Sequence, residues 1–167
     1  MGYALVYIEQ QDGHVTDASL SALALTRELA TARGATLVAV VPVAEKPHYD
    51  QDDIVAQLST AGADRVAVVV DPQIATEPDN VELLARGVLA VSTRFPPLSL
   101  AMPHTAPERL LSTLCRALGG ACKDGVTDTS VWTASAQLVV ARVSAELTMR
   151  SSGDEEAEML LIDLAAG

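Results

Sequence analysis

Histidine and acidic side chains offer the most evident chemistry in this sequence, but their spacing does not build a metal site. The histidines are His14, His48 and His104. His48 lies in an acidic segment with Asp50, Asp52 and Asp53, whose oxygens could contact a divalent cation. Structural metal centres combine several His or Cys ligands at short spacing, and no second soft ligand accompanies His48. We therefore predict no metal site.

The two cysteines, Cys115 and Cys122, do not form a CxxC motif. Both stand among apolar residues, which favours buried free thiols over a disulfide. Cys115 falls in the middle of a predicted helix, whereas a helix lowers the pKa of a thiol at its first turn. We therefore expect no reactive thiol and a reducing, cytoplasmic location.

Motifs for phosphate binding and covalent catalysis are missing. The sequence contains neither GxGxxG nor GxxxxGK(S/T), so dinucleotide and P-loop sites lack their usual support. Neither Ser99 nor Ser112 lies in a nucleophile elbow, and no paired carboxylates bracket a recognisable cleft. We predict a protein that is not an enzyme and has no catalytic residue.

Apolar runs alternate with segments of helical period, and these elements must position any site. The runs cover residues 3–9, 36–43, 65–70 and 98–102. Continuous apolar runs rich in β-branched residues are typical of a parallel sheet covered on both faces. We predict an α/β fold: a single domain over residues 1–167 with a Rossmann-like parallel sheet sandwiched by helices.

Local signals predict where the helices begin and end. Asp17 or Ser19 can cap the first helix, and Gly34 can end it in a left-handed conformation. A long helix is predicted over residues 77–94. Thr105-Ala-Pro-Glu108 has the form of a capping box, which makes Thr105 a helix cap.

The last quarter of the chain, about residues 121–167, is predicted to be a C-terminal antiparallel β extension. Strands are predicted at 121–128, 130–143, 145–149 and 159–164. Strict alternation from Val131 would place Trp132 on an apolar face near the sheet edge. Only the sheet edge or another subunit could cover that face, and for Trp132 itself a buried core role is an equal alternative to an interface role. We therefore expect a dimer built through residues ~130–165.

Candidate ligand-binding residues follow from position rather than from a motif. Ligands of open α/β sheets bind at the carboxyl ends of the strands. The residues predicted at that edge are Glu9, Gln10, Asp71, His104 and Thr105, beside Pro42 and Val43. His104 is the one histidine among them, and histidine is a common acid–base residue. Alternatively, Thr105 is a structural cap, and Glu9 and Asp71 simply end strands in solvent.

Composition excludes several classes of partner. The net charge is −11, which disfavours binding to nucleic acid phosphates and to anionic membranes. Aromatic residues make up 3% of the chain, too few for base-stacking platforms. The longest apolar run is shorter than the roughly 20 residues of a membrane span. The first residues lack the basic region of a signal peptide, so we expect none.

Several ordered segments together resemble the amino-terminal domain of electron-transfer flavoprotein subunits, the α subunit more than the β. They are Leu5-Val-Tyr-Ile-Glu9, Gly62-Ala-Asp-Arg-Val66 with Asp71-Pro72, Pro107-Glu-Arg-Leu-Leu111, and Val140-Ala-Arg-Val143 with the following acidic hairpin. The resemblance implies an adenine-nucleotide α-hydrolase-like fold. It also implies that the chain stops where the flavin-binding domain of the family would begin.

The resemblance sets the expectations for cofactors and partners. In β subunits, AMP lies on a Gly-rich loop after the fourth strand, but here that loop reads Ala101-Met-Pro-His-Thr105. Ser144-Ala-Glu146 replaces a Gly/Asn-rich turn of α subunits. We therefore expect no cofactor in this chain alone, with FAD possible only together with a partner chain. The expected partner is a second copy or another electron-transfer-flavoprotein-like subunit.

Three functions fit the sequence. The first is a non-catalytic electron-transfer-flavoprotein-like subunit that pairs with a flavin-binding partner. The second is a nucleotide-binding domain of the universal-stress type, although the Gly-rich phosphate loop is missing. The third is an interaction domain that binds no ligand.

Overall fold

A computed structural model describes residues 2–45, 54–144 and 157–164. The strands are β1 (Tyr3–Tyr7), β2 (Gln10–Gln11), β3 (His14–Val15), β4 (Thr36–Val43), β5 (Arg65–Val70), β6 (Pro97–Met102), β7 (Ala121–Val126), β8 (Val139–Val143) and β9 (Glu158–Asp163). The α-helices are α1 (Asp17–Arg33), α2 (Ile54–Ala61), α3 (Val81–Arg94), α4 (Glu108–Leu118) and α5 (Ser130–Thr133), and a 3-10 turn spans Pro72–Ala75.

Within these ranges, seven strands form one parallel sheet in the order β7-β8-β6-β1-β4-β5-β9. The chain runs outward from β1 to β4 and β5 and then returns to place β6 on the other side of β1. The strand order therefore reverses between β1 and β6, which we call the switch point. In open parallel sheets the crevice at such a reversal is the usual ligand-binding position. β2 and β3 pair antiparallel as a separate hairpin.

Helices cover both faces of the sheet, as the apolar runs predict. On the face packed against α1 and α2, Leu23 and Leu58 are fully buried. On the face packed against α3 and α4, Val88 and Leu114 are fully buried. Each such side chain contributes about 1.5–3 kcal/mol on burial. Two apolar layers therefore hold the strand ends in fixed positions.

The ends of α1 are set by short-range hydrogen bonds. Thr16 is the N-cap, and its Oγ1 accepts a bond from the Ser19 N–H at 3.2 Å. The predicted caps Asp17 and Ser19 lie one and three residues after the observed cap, because Asp17 already begins the helix. Gly34 ends the helix at φ 63°, as predicted. Glycine enters this left-handed region without a Cβ clash.

α3 begins later than predicted, at Val81 rather than at residue 77. The 3-10 turn occupies the chain directly after Asp71, whose side chain caps it. Asn80 then caps α3, and its Oδ1 accepts a bond from the Glu82 N–H at 3.0 Å. Two successive caps therefore leave Thr76–Asn80 as a non-helical loop at the carboxyl edge of the sheet.

The described strands of the last quarter join the main sheet instead of forming an antiparallel extension. β7 and β8 pair parallel beside β6, and β9 pairs parallel with β5 at the opposite edge. The prediction of antiparallel pairing is therefore wrong for these strands, while the α/β, Rossmann-like class is confirmed. The strand predicted at 145–149 lies outside the described residues.

Trp132 belongs to the short helix α5 and not to a strand. Its side chain is 3% exposed, and its Nε1–H donates to the carbonyl of Val139 at 3.0 Å. The Arg33 guanidinium also donates to the Trp132 carbonyl, at 2.6 Å. The prediction of a strand at Trp132 is therefore wrong and its core alternative holds, so the expected dimer loses this reason and stays a prediction.

No helix of the described ranges combines the length and apolar character needed to cross a bilayer.

Candidate functional site at the carboxyl edge

Glu9 and Thr105 meet across the switch point. Glu9 follows β1 and Thr105 follows β6, and these two strands are neighbours in the sheet. The Thr105 hydroxyl donates a short hydrogen bond to Glu9 Oε1. Glu9 is partly buried and Thr105 is exposed. Of the five predicted candidates, these two are the pair that the fold joins at the position where a ligand would bind.

The backbone of Glu9 is held by the first turn of α1. Its N–H donates to the hydroxyl of Ser19 at 2.7 Å, and the Thr16 hydroxyl donates to the same oxygen at 2.9 Å. Ser19 is completely buried. The carboxylate of Glu9 is therefore presented at the edge by a fixed backbone. Sequence reasoning treated Ser19 only as a possible cap and missed this role.

Thr105 is not the helix cap that the sequence predicts. α4 begins at Glu108, its N-cap position is Pro107, and no side chain caps it. Pro103 is buried, and its carbonyl accepts a bond from the Ala106 N–H at 3.0 Å, which turns the chain ahead of the helix. This turn directs the Thr105 hydroxyl to Glu9 instead of to the helix N–H groups.

Gln10 lies in the small hairpin, and its side chain stabilises the turn between β2 and β3. Its Oε1 accepts a bond from the Gly13 N–H at 3.0 Å. Gln57 of α2 holds the same hairpin by donating to the Gly13 carbonyl at 3.0 Å and accepting from the Val15 N–H at 2.9 Å. Gln10 therefore has a structural role beside the switch point.

Asp71 is separated from the switch point by β4, and both oxygens of its carboxylate accept hydrogen bonds from protein groups. Its side chain is 4% exposed. One oxygen accepts from the Gln73 N–H at 3.1 Å, and the other from the Arg86 guanidinium at 2.5 Å. A buried carboxylate needs such partners to offset its desolvation. The structure therefore gives Asp71 the role of an anchor for α3 rather than of an acid ending in solvent.

Arg142 is a residue of this edge that sequence reasoning missed. It lies at the end of β8, in register with Met102 of β6. Its guanidinium donates to both oxygens of Asp124 at 2.8 and 2.6 Å, and to the carbonyl of Ala106 at 2.9 Å. A lone arginine in an otherwise apolar strand is the signal that could have found it. It fixes the loop that carries His104, which is partly buried.

Tyr7 is a second residue missed by sequence reasoning. Its side chain is 3% exposed, and burial, followed by the charges of Glu9 and Asp79, raises the pKa of its hydroxyl far above the ordinary value. Asp79 lies in the loop ahead of α3. That loop and Arg109 of α4 line an open depression of about 560 Å³. Tyr7 therefore stays neutral in an acidic corner of the edge.

The protein-family model that describes the electron transfer flavoprotein domain matches residues 4–110. The chain belongs to this family. The match runs from β1 into α4, and so includes Glu9, Asp71 and Thr105. No curated protein matches the chain.

Flavin and adenine nucleotides would bring phosphate groups to an electron transfer flavoprotein domain, and the described switch point does not fit them. The Glu9 carboxylate lies at the switch point, and the guanidinium of Arg142, a cation of the same sheet edge, is already bound to Asp124. The loop after β6 has no glycine, and Pro103 supplies no N–H. Phosphate sites instead use exposed backbone N–H groups.

Metal binding has no support in the described residues, where no group of three or more His, Cys, Asp or Glu side chains is placed to hold an ion. His14 lies in β3 and His104 follows β6, so these two histidines stand in different elements. The acidic segment with His48 lies outside the described residues.

Proposed function

We propose that this electron transfer flavoprotein domain acts in electron transfer as a non-catalytic subunit that leaves the cofactor to a flavin-binding partner. Members of the family are electron carriers rather than classical enzymes. The observation that carries the proposal is the Glu9 carboxylate, bonded to Thr105 at the switch point. The domain would work in a reducing compartment such as the cytoplasm, in keeping with Cys115 and Cys122 as free thiols.

Electrostatics supports the division of labour between two chains. Two like unit charges about 4 Å apart repel by roughly 4 kcal/mol at the effective dielectric constant of a protein surface. A phosphate in the crevice would meet the Glu9 carboxylate within such a distance range, on a chain whose net charge is −11. A neutral isoalloxazine ring bound by another chain would not carry that penalty.

The partner in this proposal is a second electron-transfer-flavoprotein-like subunit or a second copy of the chain. The outer edge of β9 is a suitable contact surface within the described residues, because its side chains Met159 and Leu161 are 46% and 39% exposed. Edge strands with exposed apolar side chains favour pairing with other chains.

The first test measures nucleotide binding by the isolated chain. Calorimetric titration with FAD and with AMP should give no binding in the micromolar range, and the purified protein should show no flavin absorbance. Glu9→Gln should improve AMP binding, whereas Glu28→Gln, an equal charge change on the exposed side of α1, should not. Micromolar AMP binding by the wild type would instead support the universal-stress type of function.

The second test concerns the partner. The chain is purified with its native binding partner from the source cells, and the complex is examined for flavin absorbance and for bleaching on reduction. Flavin that follows the partner chain after the two are separated supports the proposal. Flavin that follows this chain, or a complex without flavin, contradicts it.

A further inference from the structure

The only two cysteines of the chain converge at the connection between α4 and β7. Cys115 lies on α4 and is 8% exposed, whereas Cys122 lies on β7 and is exposed. The expectation that both thiols are buried is therefore wrong for Cys122. The Cys115 Sγ lies 4.0 Å from the carbonyl oxygens of Ala121 and Val140. The first belongs to the residue before Cys122, and the second to its partner in register on β8.

The direction of the Cys122 side chain follows from the pleat of the sheet. Ala121 packs against the layer of α1 and α2, and successive side chains of a strand point to opposite faces. Cys122 therefore points to the α4 face. Val140, its partner in register, belongs to the same layer as Cys115. The two thiols share one face of the sheet and adjacent positions on it.

The connection between them is short and rigidly held. The Gly120 N–H donates to the Cys115 carbonyl at 3.1 Å, and the Ala121 N–H donates to Leu138 at 2.9 Å. Gly119 has φ 69°, a conformation that glycine adopts without strain. A Cβ on Gly120 would lie 3.1 Å from the Leu138 carbonyl oxygen. The turn thus fixes Cys122 relative to the end of α4.

We infer that Cys115 and Cys122 form a reversible intrachain disulfide when the protein meets a low-molecular-weight disulfide such as oxidised glutathione. The exposed Cys122 thiolate attacks the small disulfide and releases one thiolate. Cys115 then loses its proton and attacks the Cys122 sulfur, which expels the second thiolate. Two protein thiols are oxidised to one disulfide, and one small disulfide is reduced to two thiols.

The order of the two attacks follows from exposure. Cys122 is accessible to a small disulfide, and Cys115 is not. Burial first, and then the hydrogen bond and charge of Cys122, raise the pKa of Cys115 to about 12. Cys115 is therefore a slow resolving thiol that reacts with a sulfur already placed beside it.

The test uses the full chain with excess oxidised glutathione, followed by alkylation and measurement of the intact mass. The wild type should lose two hydrogens, keep no glutathione, and recover both thiols with dithiothreitol. Cys115→Ala should keep glutathione on Cys122, so that the adduct lasts at least about tenfold longer than in the wild type. Cys122→Ala should stay unmodified.

Two results would overturn the inference. One is a glutathione adduct that persists on wild-type Cys122 without conversion to the internal disulfide. The other is a covalent dimer through Cys122 in place of the internal bond. Both are read from the wild-type mass spectrum, so the decision does not depend on the folding of the variants.

Discussion

Asp71 and Glu9 both follow strands of the parallel sheet and reach the same edge, but their surroundings differ. Asp71 is almost completely buried and is paired with Arg86. Glu9 is partly buried, and its carboxylate bonds to the hydroxyl of Thr105. A buried acid with a cation is an anchor of the fold, whereas among the described residues the Glu9 side chain is bonded to a hydroxyl rather than to a cation. At one edge, therefore, Asp71 is tied into the fold, whereas Glu9 is the acid that our proposal uses.

The largest effect is expected for the anchor. Arg86→Ala should lower the free energy of unfolding by about 3 kcal/mol, because it leaves the Asp71 carboxylate buried without its cation. The value lies at the low end of the range for buried pairs, since the Arg86 side chain is half exposed. Urea unfolding measures the change. Arg116→Ala, on an exposed part of α4, is the control and should change it by less than about 0.5 kcal/mol.

A smaller effect is expected where the backbone of Glu9 is held. Ser19→Ala should cost about 1–2 kcal/mol, because the Glu9 N–H loses the oxygen that it contacts at 2.7 Å. Ser112→Ala on the exposed face of α4 should be nearly neutral. Equal stability of the two variants in thermal unfolding would show that the Ser19 hydroxyl does not hold Glu9.

Asp124 is intermediate between Asp71 and Glu9, because it is paired with a cation but is exposed. Its contribution to the stability of the fold depends on pH. Hydrogen bonding to Arg142 holds the pKa of the Asp124 carboxyl below its ordinary value. A carboxyl whose folded-state pKa is lowered stabilises the protein above the unfolded-state pKa, and this stabilisation disappears as the pH falls through the folded-state value. The stability difference between wild type and Asp124→Asn should therefore shrink below about pH 4.

The size of that difference is limited by solvent. The Asp124 side chain is 46% exposed, so we expect less than about 1 kcal/mol at neutral pH. Thermal unfolding of both proteins at neutral and acidic pH measures it. A difference that grows on acidification would contradict the sign of the effect.

The smallest effect is expected at Thr105. Thr105→Val keeps the shape of the side chain and removes the hydroxyl that donates to Glu9. Because Thr105 is exposed, water can replace the bond, and stability should change by less than about 0.5 kcal/mol. A loss above about 1 kcal/mol in urea unfolding would make Glu9 and Thr105 a structural pair and remove the contrast with Asp71.

The strands and their order along the chain were predictable where apolar periodicity is strong. β4 and β5 have the predicted bounds, because continuous apolar runs are buried on both faces. The structure around Trp132 was not predictable in this way, since the alternating pattern there consists mostly of Ala, Thr and Ser. There, the Asp128 side chain accepts a bond from the Ser130 N–H at 2.9 Å. This short-range bond lies at the beginning of α5, where a local turn replaces the predicted strand.

Site residues were predictable as a set at one edge but not as pairs. Glu9 and Thr105 are far apart in sequence, so their bond depends on the placement of β6 beside β1. The pairing of Asp71 with Arg86 was also not predictable from the sequence, because Arg86 reaches Asp71 only through the packing of α3. Parallel pairing of the last strands likewise depends on the edges left open by the earlier ones.

The position of β9 has a consequence for folding kinetics. β9 pairs with β5 at the opposite side of the sheet from β7 and β8, so that Glu158 lies beside Arg65. Pairing between residues so distant in sequence closes a long loop and is slow. During synthesis the edge of β5 therefore remains unpaired until β9 has been made. In that interval a strand of a neighbouring chain can compete with β9 for pairing with β5. The rate of this docking step would therefore set how long the β5 edge stays open to such exchange.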